Sequence, residues 1–186
     1  MTDNLAYQEE WPEELIGGEF VAMSPAATDH NRVSGNILHI FSSYLYKKPC
    51  EPFGGSEFVF LTEKDIFLPD CSVVCDPDKV KPDGIHGAPD LVVEVLSPST
   101  ARNDRTRKAE VYAACGVREY WLVLPKEKQV EIYLPEGSAF VLHEVHTLSP
   151  EAERLPTARP LPPAHFKCSL FDDLDISLED IFYRTF

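Results

Sequence analysis

At 186 residues and 21.0 kDa the chain is long enough for one domain with a full core, and 44% hydrophobic with 26% charged residues is ordinary for a soluble globular protein. No apolar run approaches the roughly 18 residues of a membrane span, and the acidic start lacks a signal-peptide pattern, so a cytoplasmic protein without a membrane partner is expected. The net charge of −14 excludes a generic polyanion binder, because nucleic acid is gripped through phosphate contacts; any such partner needs a local basic patch or metal ions.

In chain order, residues 1 to 13 read as polar and loosely packed. Glu19 to Met23, after Gly17-Gly18, reads as a short strand ended by Ser24-Pro25. Asp29 can cap a helix on which Val33, Ile37, Ile40, Phe41, Tyr44 and Leu45 recur at helical spacing, with His30 in its first turn. Pro49 to Gly55 reads as a loop. Ser56 to Thr62 and Ile66 to Cys75 read as strands joined by Glu63-Lys64-Asp65.

After a loop over residues 76–89 comes the stretch that organises the chain, PDLVVEVLSPSTARNDRTRKAEVY. Its strand carries one carboxylate, Glu94, in an otherwise apolar run, and a buried acid without a partner costs several kcal/mol, roughly. A helix from Ser99 to Cys115 and a strand from Val117 to Leu124 follow, and the link is long enough to cross between parallel strands. Strands over 129–134 and 139–143, a proline-rich arm over 148–164 and a last helix capped by Ser177 complete the reading. The order implies an α/β domain with a mixed central β-sheet flanked by helices. The five cysteines form no C-x-x-C pair, and reduced thiols are expected.

Strand alternation puts Leu68, Asp70, Ser72 and Val74 on one face and Asp90, Val92, Glu94 and Leu96 on another. If these strands pair, Asp70 and Glu94 stand about 5 Å apart, close enough to share a divalent cation, whereas Asp90 lies roughly 13 Å along the strand from Glu94. On the helix, Asp104, Lys108, Val111 and Tyr112 share a side, which aims Lys108 at the sheet rather than at solvent. A lysine directed toward two carboxylates is a candidate functional group, set against the alternative of a snorkelling lysine. Arg102, Arg105, Arg107 and Lys108 form the densest basic cluster in the chain, near a helix start that favours anions.

The segments PDCSVVCD and GAPDLVVEVLSPSTARNDRTRKAEVYAACGVREYWLV resemble the Uma-type restriction-endonuclease family, a branch of the PD-(D/E)XK nuclease superfamily. The resemblance runs from about residue 17 to 143 and implies a single restriction-endonuclease-like domain over 1–186. It implies a metal-dependent endonuclease that hydrolyses DNA phosphodiester bonds, with Mg²⁺ as cofactor and Mn²⁺ able to substitute. Asp70 and Glu94 would hold the ion, with the Val95 carbonyl completing its coordination. The superfamily's lysine ordinarily lies two residues after the second acid, where this chain has Leu96; Lys108 is the natural replacement. Asp90 offers a second reading of the PD pair. His30, with Glu19 from the preceding strand, would stand at the rim of the site. Arg102, Arg105 and Arg107 would contact phosphates, and enzymes of this type often act as homodimers.

Two alternatives stand beside this reading. In one, the nuclease fold survives as a nucleic-acid-binding or protein-interaction module without cleavage. In the other, Asp70 and Lys108 form a buried ion pair that keeps the site metal-free.

Overall fold

The computed structural model describes residues 12–23, 25–148 and 164–186. Strands β1 (Glu13–Ile16) and β2 (Glu19–Ala22) form a hairpin. Its two-residue turn needs positive φ at both positions, and Gly17 and Gly18 supply +64° and +88°. Helix α1 (Thr28–Leu45) follows. Ala27, not Asp29, is its N-cap; Asp29 lies inside the first turn, where its charge favours the helix dipole.

Strands β3 (Glu51–Gly54), β4 (Val59–Thr62), β5 (Asp65–Phe67) and β6 (Cys71–Val74) come next. The expected loop around Pro52 is thus partly a strand, tolerated because β3 is an outer strand where a missing N–H breaks no ladder. The expected single strand over 66–75 is broken at Leu68-Pro69-Asp70. Pro69 cannot donate to a ladder, and the halves join different sheets. A 3₁₀ turn (Pro77–Lys79), β7 (Val80–Lys81) and β8 (Gly84–His86) interrupt the expected loop before β9 (Leu91–Val95).

After β9 the chain forms α2 (Ala101–Asn103), a π-helical turn (Asp104–Lys108) and α3 (Ala109–Cys115). Gly116, at φ +97°, ends α3 in the left-handed conformation; the Gly116 and Val117 N–H groups both return to the Tyr112 carbonyl. Strands β10 (Glu119–Leu124), β11 (Gln129–Glu136) and β12 (Ala139–Thr147) follow, then β13 (His165–Lys167), β14 (Asp175–Ser177) and α4 (Leu178–Ile181). Ser177 caps α4 through the Glu179 N–H. Most of the proline-rich arm, over 149–163, lies outside the described residues.

The strands make a central mixed sheet in the order β12-β11-β10-β9-β6-β3, a second sheet in the order β2-β1-β5-β4-β8-β7, and the pair β13-β14. Only β9 and β10 run parallel in the central sheet, and the helical crossover between them supplies the required length. One face of this sheet, with Val93, Val95, Trp121 and Ile132, buries the Val33, Ile37, Phe41 and Leu45 stripe of α1 together with Phe166, Ile176 and Ile181. The other face, with Val92, Tyr120 and Leu122, packs on Val111 and Tyr112 of α3. The expectation of reduced thiols is corrected at one pair. The β3–β6 register sets Glu51 against Val74, and one step beyond it Cys50 and Cys75 form a disulfide. Among the described residues no helix is long and apolar enough to cross a membrane.

Candidate active site

The site is assembled where β6 leaves the strand break and β9 ends. The antiparallel register pairs Cys71 with Val93 and Ser72 with Val92; one further step sets Asp70 opposite Glu94. Asp70 is fixed through one oxygen, Oδ2, which accepts the Val95 N–H at 2.7 Å and lies 3.2 Å from His30 Nε2. His30 arrives from the first turn of α1. Burial lowers its affinity for a proton, but the bond to Asp70, the Asp70 charge and the adjacent Val95 carbonyl outweigh this and raise its pKa above the ordinary value. Its other ring nitrogen, Nδ1, is buried without a hydrogen-bond partner.

Glu94 faces the α3 side and is 3% exposed. Its Oε1 accepts the Tyr112 hydroxyl at 2.9 Å and the Lys108 ammonium at 3.1 Å. Lys108, buried at the end of the π turn, also meets Glu14 Oε1 at 2.7 Å and Asp104 Oδ1 at 3.4 Å. The Asp104 contact is ionic only, because the geometry leaves that oxygen without a hydrogen bond. Burial penalises the charged lysine, yet the charges of Glu94, Glu14 and Asp104 more than reverse this and hold the ammonium firmly protonated. Burial, above all, displaces Glu94 well upward; the Lys108 charge opposes this, and the charges of Asp104, Asp70 and Glu14 add to it. Lys108 is thus a buried positive charge surrounded by three carboxylates.

Glu14 escaped the sequence reading, which placed residues 1 to 13 outside the fold and began the first strand at Glu19. The signal was present as EELI-GG-EFVA, two short strands around a Gly-Gly turn. The strand break at Pro69 explains its burial. The Leu68 N–H, freed from any ladder, donates to Glu14 Oε1 at 2.8 Å.

The other expected residues lie apart from this cluster. Glu19 is exposed on β2, the outermost strand of the second sheet, so the acid that hairpin contributes is Glu14. Asp90 accepts the Cys75 N–H at 2.8 Å and pairs with Arg118 at 3.3 Å, a role in tying strand ends together. Arg105 and Arg107, expected to contact phosphates, are each paired with a carboxylate. Arg105 grips both oxygens of Glu131 at 2.6 and 3.0 Å, and Arg107 grips Asp65 at 3.0 Å. Arg102 is exposed and has no ion-pair partner among the described residues. The Asp70–Lys108 pair of the structural alternative is replaced by the Lys108 contacts to Glu14, Glu94 and Asp104.

A family model described as "Uma2: Putative restriction endonuclease" matches residues 3–164. The chain belongs to the Uma2 family. Two uncharacterized Synechocystis proteins are similar to it, one 32% identical over 123 residues and the other 27% identical over 128. The alignments cover 64% and 67% of this chain and 64% and 72% of those proteins. The crystal structure of a putative nuclease from Anabaena variabilis matches the fold with a TM-score of 0.69 at 20% identity, covering 91% of this chain and 89% of that one.

Membership of the Uma2 family raises the question of whether these residues suit a divalent cation. Asp70 uses only Oδ2 and Glu94 only Oε1 for the bonds above, so each keeps an oxygen without a protein partner among the described residues. Both are hard oxygen donors, at the ends of neighbouring strands. Among the described residues no three His, Cys, Asp or Glu side chains converge into a preformed cage. Asp70 and Glu94 could each offer one oxygen to a divalent cation that keeps most of its own water.

Proposed function

We propose that this chain is a divalent-cation-dependent endonuclease acting on DNA, with Asp70 and Glu94 as the ion's protein ligands. The observation that supports the reading is the β6–β9 register, in which Asp70 and Glu94 adjoin the last paired residues on neighbouring strands, each with one oxygen free of a protein partner among the described residues. A bound Mg²⁺ would supply charge neutralisation at the scissile phosphate and a lowered pKa for its water. The chain's own residues do the rest. Lys108 keeps Glu94 oriented from behind. Asp70 holds His30 through Nε2 at the edge of the acid pair. Tyr112 donates to Glu94 and fixes its rotamer. Val95 orients Asp70 through its N–H.

The test is Mg²⁺-dependent cleavage of single-stranded DNA, of plasmid DNA and of a simple aryl phosphodiester. Glu94→Ala and Asp70→Ala are expected to lose at least about 10³-fold of the rate, within the range that metal and acid–base contributions supply. Cleavage that survives both substitutions would end this assignment. A second reading, the same fold used for binding without cleavage, is favoured by the neutralisation of Lys108, Arg105 and Arg107 by carboxylates. It expects no Mg²⁺-dependent product at all.

A further inference from the structure

Beside the acid pair, at the open ends of β9 and β10, lies a cavity of about 540 Å³. Its walls are mainly apolar, from Leu96, Pro98, Ala101, Leu124 and Pro125, and His30 stands in both the cavity wall and the acid cluster. Phe186, 88% exposed, forms one side; its N–H points to the Asp29 carboxylate and its ring lies under the Arg32 guanidinium at 4.7 Å. The volume falls within the range of small-molecule pockets, and nothing in the acid chemistry requires an apolar hollow next to it.

The charge around the site, where the Asp29 and Glu127 carboxylates also line the cavity and weigh against a densely charged ligand, narrows what enters. Of the nearby cations, Arg105, Arg107, Lys108 and Arg118 are each bound to carboxylates. Arg102 and Lys126 are exposed and lack ion-pair partners among the described residues. A duplex, with a phosphate about every 1.7 Å of axis, would meet too few free cations on a chain of net charge −14. A single strand carries half that charge density. It also offers what this site can accept: an unstacked base, whose flat apolar faces suit an aromatic ring and an aliphatic wall.

We infer that the cavity takes an unstacked nucleobase of single-stranded DNA, adjacent to the phosphodiester that the acid pair addresses. This rests on the nuclease reading for its orientation but on the cavity and the cation balance for its substrate class. The base would lie between Phe186 and Leu124. The following phosphate would lead past His30 toward Asp70 and Glu94, with Lys126 and Arg102 flanking the strand.

The test is binding measured by fluorescence anisotropy in Ca²⁺, with three labelled probes of one length: single-stranded oligothymidylate, the corresponding duplex, and an abasic strand of equal charge. With the unaltered protein the oligothymidylate is expected to bind roughly tenfold tighter than either other probe, the scale of one base–aromatic stacking contact. Phe186→Ala and the cavity-filling Leu124→Trp should each remove most of that margin, with folding checked by thermal unfolding. Equal affinity for abasic and base-bearing strands would overturn the inference without any variant. Preference for the duplex would overturn it as well. Loss of aryl phosphodiester cleavage in Glu94→Ala tests the nuclease reading separately. A silent phosphodiester assay with intact base preference would leave the cavity assignment standing and remove the nuclease one.

Discussion

Lys108 carries three buried contacts at once, and each of its partners depends on it. Removing the ammonium in Lys108→Met leaves Glu14, Glu94 and Asp104 facing one another without compensation. Loss of about 3–5 kcal/mol of stability is expected, as for one partner removed from a buried pair. Urea unfolding measures it, and adding Glu14→Gln to Lys108→Met should return part of the loss. If the single variant is as stable as the parent, the acids do not depend on that charge. The sequence made this lysine legible because Val111 and Tyr112 share its helical face. It did not disclose Glu14, since a carboxylate in a four-residue strand has no apolar periodicity to mark it as buried. Its burial follows from a distant event, the release of the Leu68 N–H at Pro69.

At the scale of elements, Asp65 joins three pieces of the second sheet to the site helix. It accepts the Gly17 N–H at 2.9 Å, the Thr62 hydroxyl at 2.8 Å and Arg107 at 3.0 Å. Burial alone would raise its pKa, but these donors outweigh burial and lower it below 3.8. A depressed acid contributes stability that is fully present above its unfolded pKa and is lost as pH falls through the folded value. Asp65→Asn should therefore be less stable than the parent at neutral pH, on the order of 1 kcal/mol because Arg107 is largely solvent-screened. The gap should narrow as pH falls below the ordinary aspartate value of about 3.9 and close once it passes the lower folded one. A gap that stays constant between pH 7 and pH 3 in denaturant titrations would contradict this. The elements themselves were readable where periodicity was long, as in α1, β9 and the helix of the crossover. The division of residues 65–74 between two sheets was not. Alternation continues smoothly across Leu68-Pro69-Asp70, and only the pairing partners reveal the break.

For the molecule as a whole, the C-terminal segment is bound to the central sheet through a buried acid. Glu119, fully buried at the start of β10, accepts the Trp121 indole N–H at 2.6 Å, the Ser169 N–H at 2.9 Å and the Ser169 hydroxyl. Glu119→Ala would leave those donors unsatisfied, at a cost of roughly 2–4 kcal/mol. Amide exchange is expected to accelerate first in residues 164–186, ahead of β9 and β10. Simultaneous loss of protection across all elements would show instead that the segment is inseparable from the core. Asn36 and Arg32 of α1 also bond the backbone of Ile181, Tyr183 and Arg184. Loosening that segment would therefore disturb Phe186 as well, and with it the wall of the cavity beside His30.

The π turn at Asp104–Lys108 has a consequence for how this chain tolerates insertions and deletions. A π turn spends one residue more than the regular helix around it, so removing a residue there would improve the backbone hydrogen bonding. The same removal would leave α2 and α3 in nearly the same phase, but it would move Lys108 from four to three positions after Asp104 and change the angle between the two side chains. Deleting Thr106, an exposed residue, should consequently give a helix of more regular form but a protein that no longer presents Asp104 and Lys108 to Glu94 together. The surplus residue of the π turn thus sets the spacing at which Asp104 and Lys108 stand together beside Glu94.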